Sequence, residues 1–326
     1  MIYLTSRKLK ALMLIFCLVS FAMVLLRAPS FLLSPFQNII NGPCGCRPCI
    51  WDPEEEDPWF SERFNQSIQP LLSRLNSELS DDTYRWWLWL QAEDNPSELS
   101  AVMDRLFQVV PGEQRYTDAG PSRCRSCSVV GNSGNLLSSY YGKLIDSSNF
   151  VIRINQAPTQ GFEHDVGSRT THHVMYPESA IDLQNSSTIM LLIPFKILDL
   201  EWLVSSLTSG HINHTYMPVR SRISANRHNV LVYNPLFMKY VHEVWLESHG
   251  RYPSTGFLSI IFALHICDQV NVFGFGADQE GNWHHYWEEN QMSGAFKETG
   301  VHNADYEYNI TQLLAQKGKI RMFKGV

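Results

Sequence analysis

"CSVVGNSGN", Cys127–Asn135, is the stretch on which the reading of the fold turns. Ser128, Val129 and Val130 form a short β-prone run, and Gly-Asn-Ser-Gly-Asn follows it as a turn. Glycines let a backbone approach a phosphate closely, while Asn132 and Ser133 offer neutral hydrogen-bond donors. The turn has neither the lysine of a P-loop nor the glycine spacing of a dinucleotide fingerprint, so on its own it is a weak signal and reads better as a plain loop. The surrounding rhythm decides the matter. Short β-rich runs recur at Ser128–Val130, Phe150–Ile154, Ile189–Ile193, Val230–Tyr233 and Val270–Phe275, separated by loops and helical stretches. That alternation predicts an α/β domain with a mostly parallel, twisted sheet flanked by helices. The turn then lies at the carboxyl end of a strand, where open sheets of this kind bind ligands.

The chain has 326 residues, 44% of them hydrophobic, enough to bury one main domain. A net charge of −6 without clusters of lysine and arginine argues against a nucleic-acid partner. Near the N-terminus Arg7, Lys8 and Lys10 precede an uncharged apolar run, Ala11–Leu26, closed by Arg27. At about 1.5 Å per residue the run spans roughly 24 Å, and snorkelling of Lys10 and Arg27 extends it towards the ~30 Å of a bilayer core. The excess of basic residues before the run predicts a cytoplasmic N-terminus. A cleaved signal peptide is the competing reading, but no small-x-small cleavage site follows. The predicted organisation is a cytoplasmic tail (1–10), a transmembrane signal anchor (11–27), a proline-containing stem (28–43) and a luminal domain (44–326).

A luminal location agrees with four sequons, at Asn65, Asn185, Asn213 and Asn309. It also agrees with an even count of cysteines outside the apolar run: Cys44, Cys46, Cys49, Cys124, Cys127 and Cys267. Disulfides fit an oxidising compartment. The alternative is a zinc site built from Cys46-x-x-Cys49 and Cys124-x-x-Cys127, and sequence alone leaves the pairing open.

Between Trp59 and Phe107, Ile68, Leu71, Leu72, Leu75 and Leu79 recur at helical spacing, and Tyr84, Trp86, Trp87 and Trp89 follow as an aromatic cluster. Both predict helix packed on the core. Further on, Gly250–Gly276 reads as a polar turn, a buried helix and a strand, with Ser254, Thr255 and Gly256 where the helix begins. Those residues serve either as an anion seat or as an ordinary N-cap. Then come His284, His285, Tyr286, Trp287 and Glu288, and "TGVHNADYE" with His302 and Glu307. The chain has no His-Glu-x-x-His and no Asp-x-Asp, which argues against a catalytic or nucleotide-bound metal. Histidines near polar turns suit general acid–base chemistry.

The runs "CSVVGNSGNL", "DSSNFVIRINQAPTQGFEHDVGSRTTHH", "GRYPSTG" with "CDQVNVFGFGAD", "HHYWE" and "GVHNADYE" resemble, in order, the large, small, third and very small sialyl motifs of animal sialyltransferases. "DDTYRWWLWLQ", "YPES", "PFKILDLEW", "HTYMPV" and "IRMFKG" are similar to members that form α2,3 linkages on galactose β1,3-linked to N-acetylgalactosamine. The resemblance implies a sialyltransferase variant of the GT-A-like fold, anchored in the Golgi membrane with its catalytic domain in the lumen. It implies CMP-sialic acid as donor, Gal-β1,3-GalNAc on glycoproteins or glycolipids as acceptor, and no cofactor or metal. It leaves a homodimer open. By residue, it implies His302 as catalytic base and His285 as the group that stabilises the departing phosphate. Asn132, Ser133, Asn155, Tyr216, Ser254, Thr255, Gly256 and Trp283 would join His285 around the donor, and Gln91 and Tyr252 would meet the acceptor. Disulfides Cys127–Cys267, Cys44–Cys49 and Cys46–Cys124 are implied in the same way. The alternatives from other classes are a membrane-tethered glycan-binding protein without catalysis and a luminal zinc hydrolase.

Overall fold

The computed structural model describes residues 43–52, 57–91, 93, 96–183, 185–277, 284–289 and 301–326. The predicted tail, anchor and nearly all of the stem, residues 1–42, lie outside the described residues, as does Trp283. Among the described residues no helix is long and apolar enough to cross a membrane.

In chain order the helices are α1 (Pro58–Arg63), α2 (Asp81–Leu90), α3 (Leu99–Val109), α4 (Gly142–Asp146), α5 (Glu163–Val166), α6 (Ile197–Ser206), α7 (Pro235–Tyr240), α8 (Thr255–Ile266) and α9 (Ala304–Gln316). The strands are β1 (Ser126–Val130), β2 (Phe150–Ile154), β3 (His172–Met175), β4 (Ile189–Leu192), β5 (Val230–Val232), β6 (Gln269–Phe273) and β7 (Arg321–Phe323). They form one sheet in the order β5-β4-β3-β2-β1-β6-β7, and each neighbouring pair is parallel. From β1 the chain builds outward to β5, then returns to the other side of β1 with β6. The sheet therefore has its topological switch point between β1 and β6, the place where such sheets open a ligand crevice.

A parallel sheet must be covered on both faces. Helix α8 covers one, and its sequence is apolar all round because Phe257, Leu258, Ile260, Ile261, Phe262 and Leu264 are all buried. On the other face Val130, Leu136, Ile145, Val151, Val166, Phe273 and Tyr286 form a smaller core. Arg153 of β2 is buried there too, and its guanidinium donates to the carbonyls of Val166 and Arg169 and to Thr170 Oγ1. It thereby ties the segment around α5 back to the sheet.

Two strands and one helix differ from expectation. Strand β3 carries His172 and His173, polar letters that hide its β character. Burial holds both imidazoles neutral, at about 3 and about 4, and His172 is satisfied by Tyr116 Oη and Thr171 Oγ1. Strand β7 is three residues at the sheet edge. Residues 68–79 are not helical: Ser73 N donates to Asn76 Oδ1, Asn76 Nδ2 donates to Leu71 O, and Leu72 N donates to Val232 O. Local side-chain bonds and a pairing with the end of β5 outcompete a helix that Pro70 already disfavours, and Leu75 is left 82% exposed. The aromatic cluster does lie on a helix, α2, where Trp87 is buried and donates to Pro194 O.

The cysteines pair as Cys44–Cys49, Cys46–Cys124 and Cys127–Cys267. Among the described residues one group converges as metal ligands might, Cys44, Cys49 and Asp268. Its two sulfurs are bonded to each other, and Asp268 is ion-paired with Arg123 at 2.7 Å. Asn65, Asn185, Asn213 and Asn309 are all exposed.

Candidate active site

The site grows from the two turns that leave β1 and β6. Gly131 N donates to Phe273 O at 2.8 Å and Ser133 N to Gly274 O at 3.1 Å. A Cβ on Gly131 would sit 2.3 Å from Gly274 O, and Gly274 itself has φ 69°. The first glycine of the opening motif is thus required by the closeness of two backbones at the switch point, a different reason from the ligand approach that the turn alone suggests. Residues 284–288 then fasten onto the same turn, with Gly134 N donating to His284 O and Tyr286 N to Asn132 O. That places His285 beside Ser133. The His285 ring stacks on Trp287 with 4.4 Å between centroids, and its Nδ1 lies 2.8 Å from Glu288 Oε1.

Asn155 follows β2 with φ 57°, an uncommon left-handed conformation for a residue with a side chain. Three contacts hold it there. Its N–H donates to Val174 O, its carbonyl accepts from His173 Nε2, and its Oδ1 accepts from Ser179 Oγ. Across the cleft, Ser254 Oγ accepts from Phe257 N and so caps α8, the ordinary structural role. Ser254 also donates from both N and Oγ to the buried Glu307 of α9, whose carboxyl burial pushes up to about 7. The Ser254 hydroxyl proton is therefore committed to Glu307, and the anion-facing donors at this end are the first-turn N–H groups of α8.

His302 stands just before α9. Its Nδ1 is 2.8 Å from the carbonyl oxygen of Tyr252. A carbonyl only accepts, so Nδ1 carries the proton and Nε2 is the basic nitrogen of the neutral ring. Burial lowers the imidazole below the ordinary histidine value, opposed by that carbonyl. The neutral, base-competent form is favoured at neutral pH. Tyr252 Oη in turn accepts from Gln91 Nε2 at 3.2 Å, and its ring packs on Phe195.

These groups surround one cavity of about 510 Å³. Gln91, Asn132, Ser133, Asn155, Tyr216, Tyr252, Ser254, Thr255, Gly256, His285 and His302 all line it. So do Tyr176, Phe195, His284 and Glu307, to which the sequence reading assigned no role; Tyr176 and Phe195 do lie in the quoted runs "YPES" and "PFKILDLEW". Asn132 Oδ1 and His284 Nδ1 are buried without a hydrogen-bond partner, which marks the cavity as a place for a polar ligand. The arrangement offers a neutral imidazole and a second, carboxylate-linked imidazole on a single cleft, the equipment for taking a proton from an incoming group and stabilising charge on a departing one.

Residues 71–319 match the model of glycosyltransferase family 29, the sialyltransferases. The chain belongs to that family. This sialyltransferase is 55% identical to the pig CMP-N-acetylneuraminate-beta-galactosamide-alpha-2,3-sialyltransferase 1 over 289 residues, 87% of this chain and 82% of the relative. The human protein of the same name is likewise 55% identical, over 288 residues, 88% of this chain and 84% of that relative. A crystal structure of a mammalian sialyltransferase in complex with Gal-beta-1-3GalNAc-ortho-nitrophenol superposes with a TM-score of 0.81 at 53% identity, covering 87% of this chain and 100% of that one. In this sialyltransferase the five motif runs, distant in sequence, meet at the β1/β6 crevice.

Proposed function

We propose that this sialyltransferase moves sialic acid from CMP-sialic acid to the 3-hydroxyl of the galactose in Gal-β1,3-GalNAc, with inversion and without a metal. The observation that carries the reading is the pair of histidines on one cavity, with His302 held in the tautomer a base needs. His302 Nε2 takes the proton of the galactose hydroxyl as its oxygen attacks the anomeric carbon from the face opposite the nucleotide. The bond from that carbon to the phosphate oxygen breaks, and the electron pair leaves with cytidine monophosphate. The sialic acid carboxylate partly balances the oxocarbenium-like charge that develops. A monophosphate leaves with less charge than a diphosphate, so His285 as proton donor, with neutral donors from the Asn132–Ser133 turn, replaces the cation that diphosphate sugars require. Asn155, Tyr216, Thr255 and Gly256 complete the donor side with Trp283, and Gln91 and Tyr252 receive the acceptor.

The relatives' names and the bound disaccharide of the solved neighbour support this choice of substrates. The same reading places the chain in the Golgi membrane as a type II protein with tail 1–10, anchor 11–27, stem 28–43 and luminal domain 44–326, the last a single-domain GT-A-like variant. Three disulfides and four exposed sequons support an oxidising lumen. A labelled donor offered with β1,3- and β1,4-galactosyl disaccharides tests the function. Transfer to the β1,3 compound at galactose O3 is expected, and preference for the β1,4 compound would overturn it.

A further inference from the structure

Directly behind the cavity wall lies a cluster of buried charges that the reaction above does not use. Lys196, at the mouth of α6, is 6% exposed. Its Nζ is surrounded by three oxygens: Gln91 Oε1 at 2.8 Å, Asp199 Oδ1 at 2.9 Å and Glu178 Oε1 at 3.4 Å. Asp199 is itself fixed, because its Oδ2 accepts from the backbone N–H groups of Phe195 and Lys196. Glu178 is fixed by Thr215 Oγ1, which donates to it. An ammonium only donates, so Lys196, bonded to Gln91 and Glu178 and ion-paired with the buried Asp199, meets each of these oxygens as a donor or a counter-charge and never as an acceptor. Burying such a charge is costly without a role for the geometry it imposes.

That geometry passes to the cavity through Gln91. With Gln91 Oε1 on the ammonium, the amide presents its NH2 towards Tyr252, and one of those protons goes to Tyr252 Oη. Tyr252 Oη thus accepts from Gln91, which frees its own proton for the cavity. The second Gln91 N–H is free to do the same. We infer that Lys196 is a positioning residue that fixes the hydrogen-bond polarity of the acceptor subsite. Gln91 and Tyr252 meet the acceptor sugar as donors, so the sugar oxygen between them is bound as an acceptor. This rests on the assignment of Gln91 and Tyr252 to the acceptor in the proposed function. An amide without Lys196 would present either end, and the subsite would lose its selectivity for a correctly placed hydroxyl oxygen.

The test is a double-mutant cycle read in steady-state kinetics with the β1,3 disaccharide. Lys196→Met and Gln91→Leu are each expected to raise the acceptor KM about tenfold, the loss of one to two hydrogen bonds to a preset group, with donor KM within about twofold. The double variant is expected to be no worse than either single one, because Lys196 acts through Gln91; effects that multiply would overturn the inference. Gln91→Glu keeps the volume and the contact with Lys196 but offers the cavity a carboxylate oxygen, and it should lose acceptor affinity as Gln91→Leu does. Wild-type affinity in Gln91→Glu would also overturn the inference, and this variant leaves the buried charges in place should Lys196→Met fail to fold. Failure of the function itself reads differently: wild type would not sialylate the disaccharide. In that event the Gln91 side-chain amide protons still report on Lys196 by NMR. The proton donated to Tyr252 Oη is expected to be slowly exchanging in wild type and in fast exchange in Lys196→Met or, if that does not fold, on acid titration of the cluster in wild type; no change would refute the role.

Discussion

The two ends of the cavity are built in different ways. The donor end is mostly main chain: two turns at the switch point, a left-handed asparagine and the first turn of a helix, each held by backbone hydrogen bonds. The acceptor end is mostly side chain: Gln91 from the end of α2, Tyr252 from the turn before α8, and Phe195 and Lys196 from the segment entering α6. The difference teaches where tolerance lies. A main-chain site accepts few substitutions because its glycines are steric requirements, whereas a side-chain site can be retuned by changing one amide or one buried charge.

The sharpest way to test this division is at the base, whose loss should stop transfer without touching the donor end. His302→Ala is expected to lower kcat by about 10² to 10⁴ while cytidine monophosphate binding, measured by calorimetry, stays within about twofold. Wild-type turnover would remove His302 from the chemistry. Next in size is Gly131→Ala, whose Cβ has no room against Gly274 O. It should destabilise the fold by about 1 to 3 kcal/mol in denaturant melts and weaken donor binding more than acceptor binding; an equal loss on both sides would contradict the separation. His173→Phe removes the donor that holds the Asn155 carbonyl and is expected to raise donor KM about tenfold with acceptor KM unchanged.

Smaller still is a shift along the pH axis. Burial depresses the His302 pKa, so the base form persists as pH falls below the ordinary histidine value of about 6.5. The acidic limb of kcat/KM should therefore lie below about 6.5, with activity lost only as pH drops through the depressed value. A limb at or above 6.5 would point to another group. The smallest expected effect is none: full activity after treatment with EDTA. Loss by chelation with recovery on adding manganese would refute the metal-free route.

Much of the sheet was legible because buried parallel strands are runs of branched and aromatic residues: β1, β2, β4, β5 and β6 all lie where such runs occur. Strand β3 was hidden because two histidines are buried neutral within it, and β7 because three residues at an edge leave too short a pattern. The helix expected over 68–79 failed because Ser73 and Asn76 capture the backbone locally. At the site, the residues named from motif resemblance line the cavity wherever they are described. Lys196, Glu178 and Asp199 lie in the quoted runs "YPES" and "PFKILDLEW", but the letters gave them no role, since their meaning lies in contacts that join those two runs to each other and to Gln91.

The order of β-rich runs and turns, the glycines at Gly131 and Gly274, the cysteine count and the motif letters are local properties, and the sequence by itself determined them. That Gly131 is required by a neighbouring backbone, which nitrogen of His302 carries the proton, and which end of the Gln91 amide meets the cavity were decided only by the tertiary structure. Each depends on a partner brought within about 3 Å by packing, and hydrogen bonds of that length are too short-ranged for any one-dimensional pattern to record.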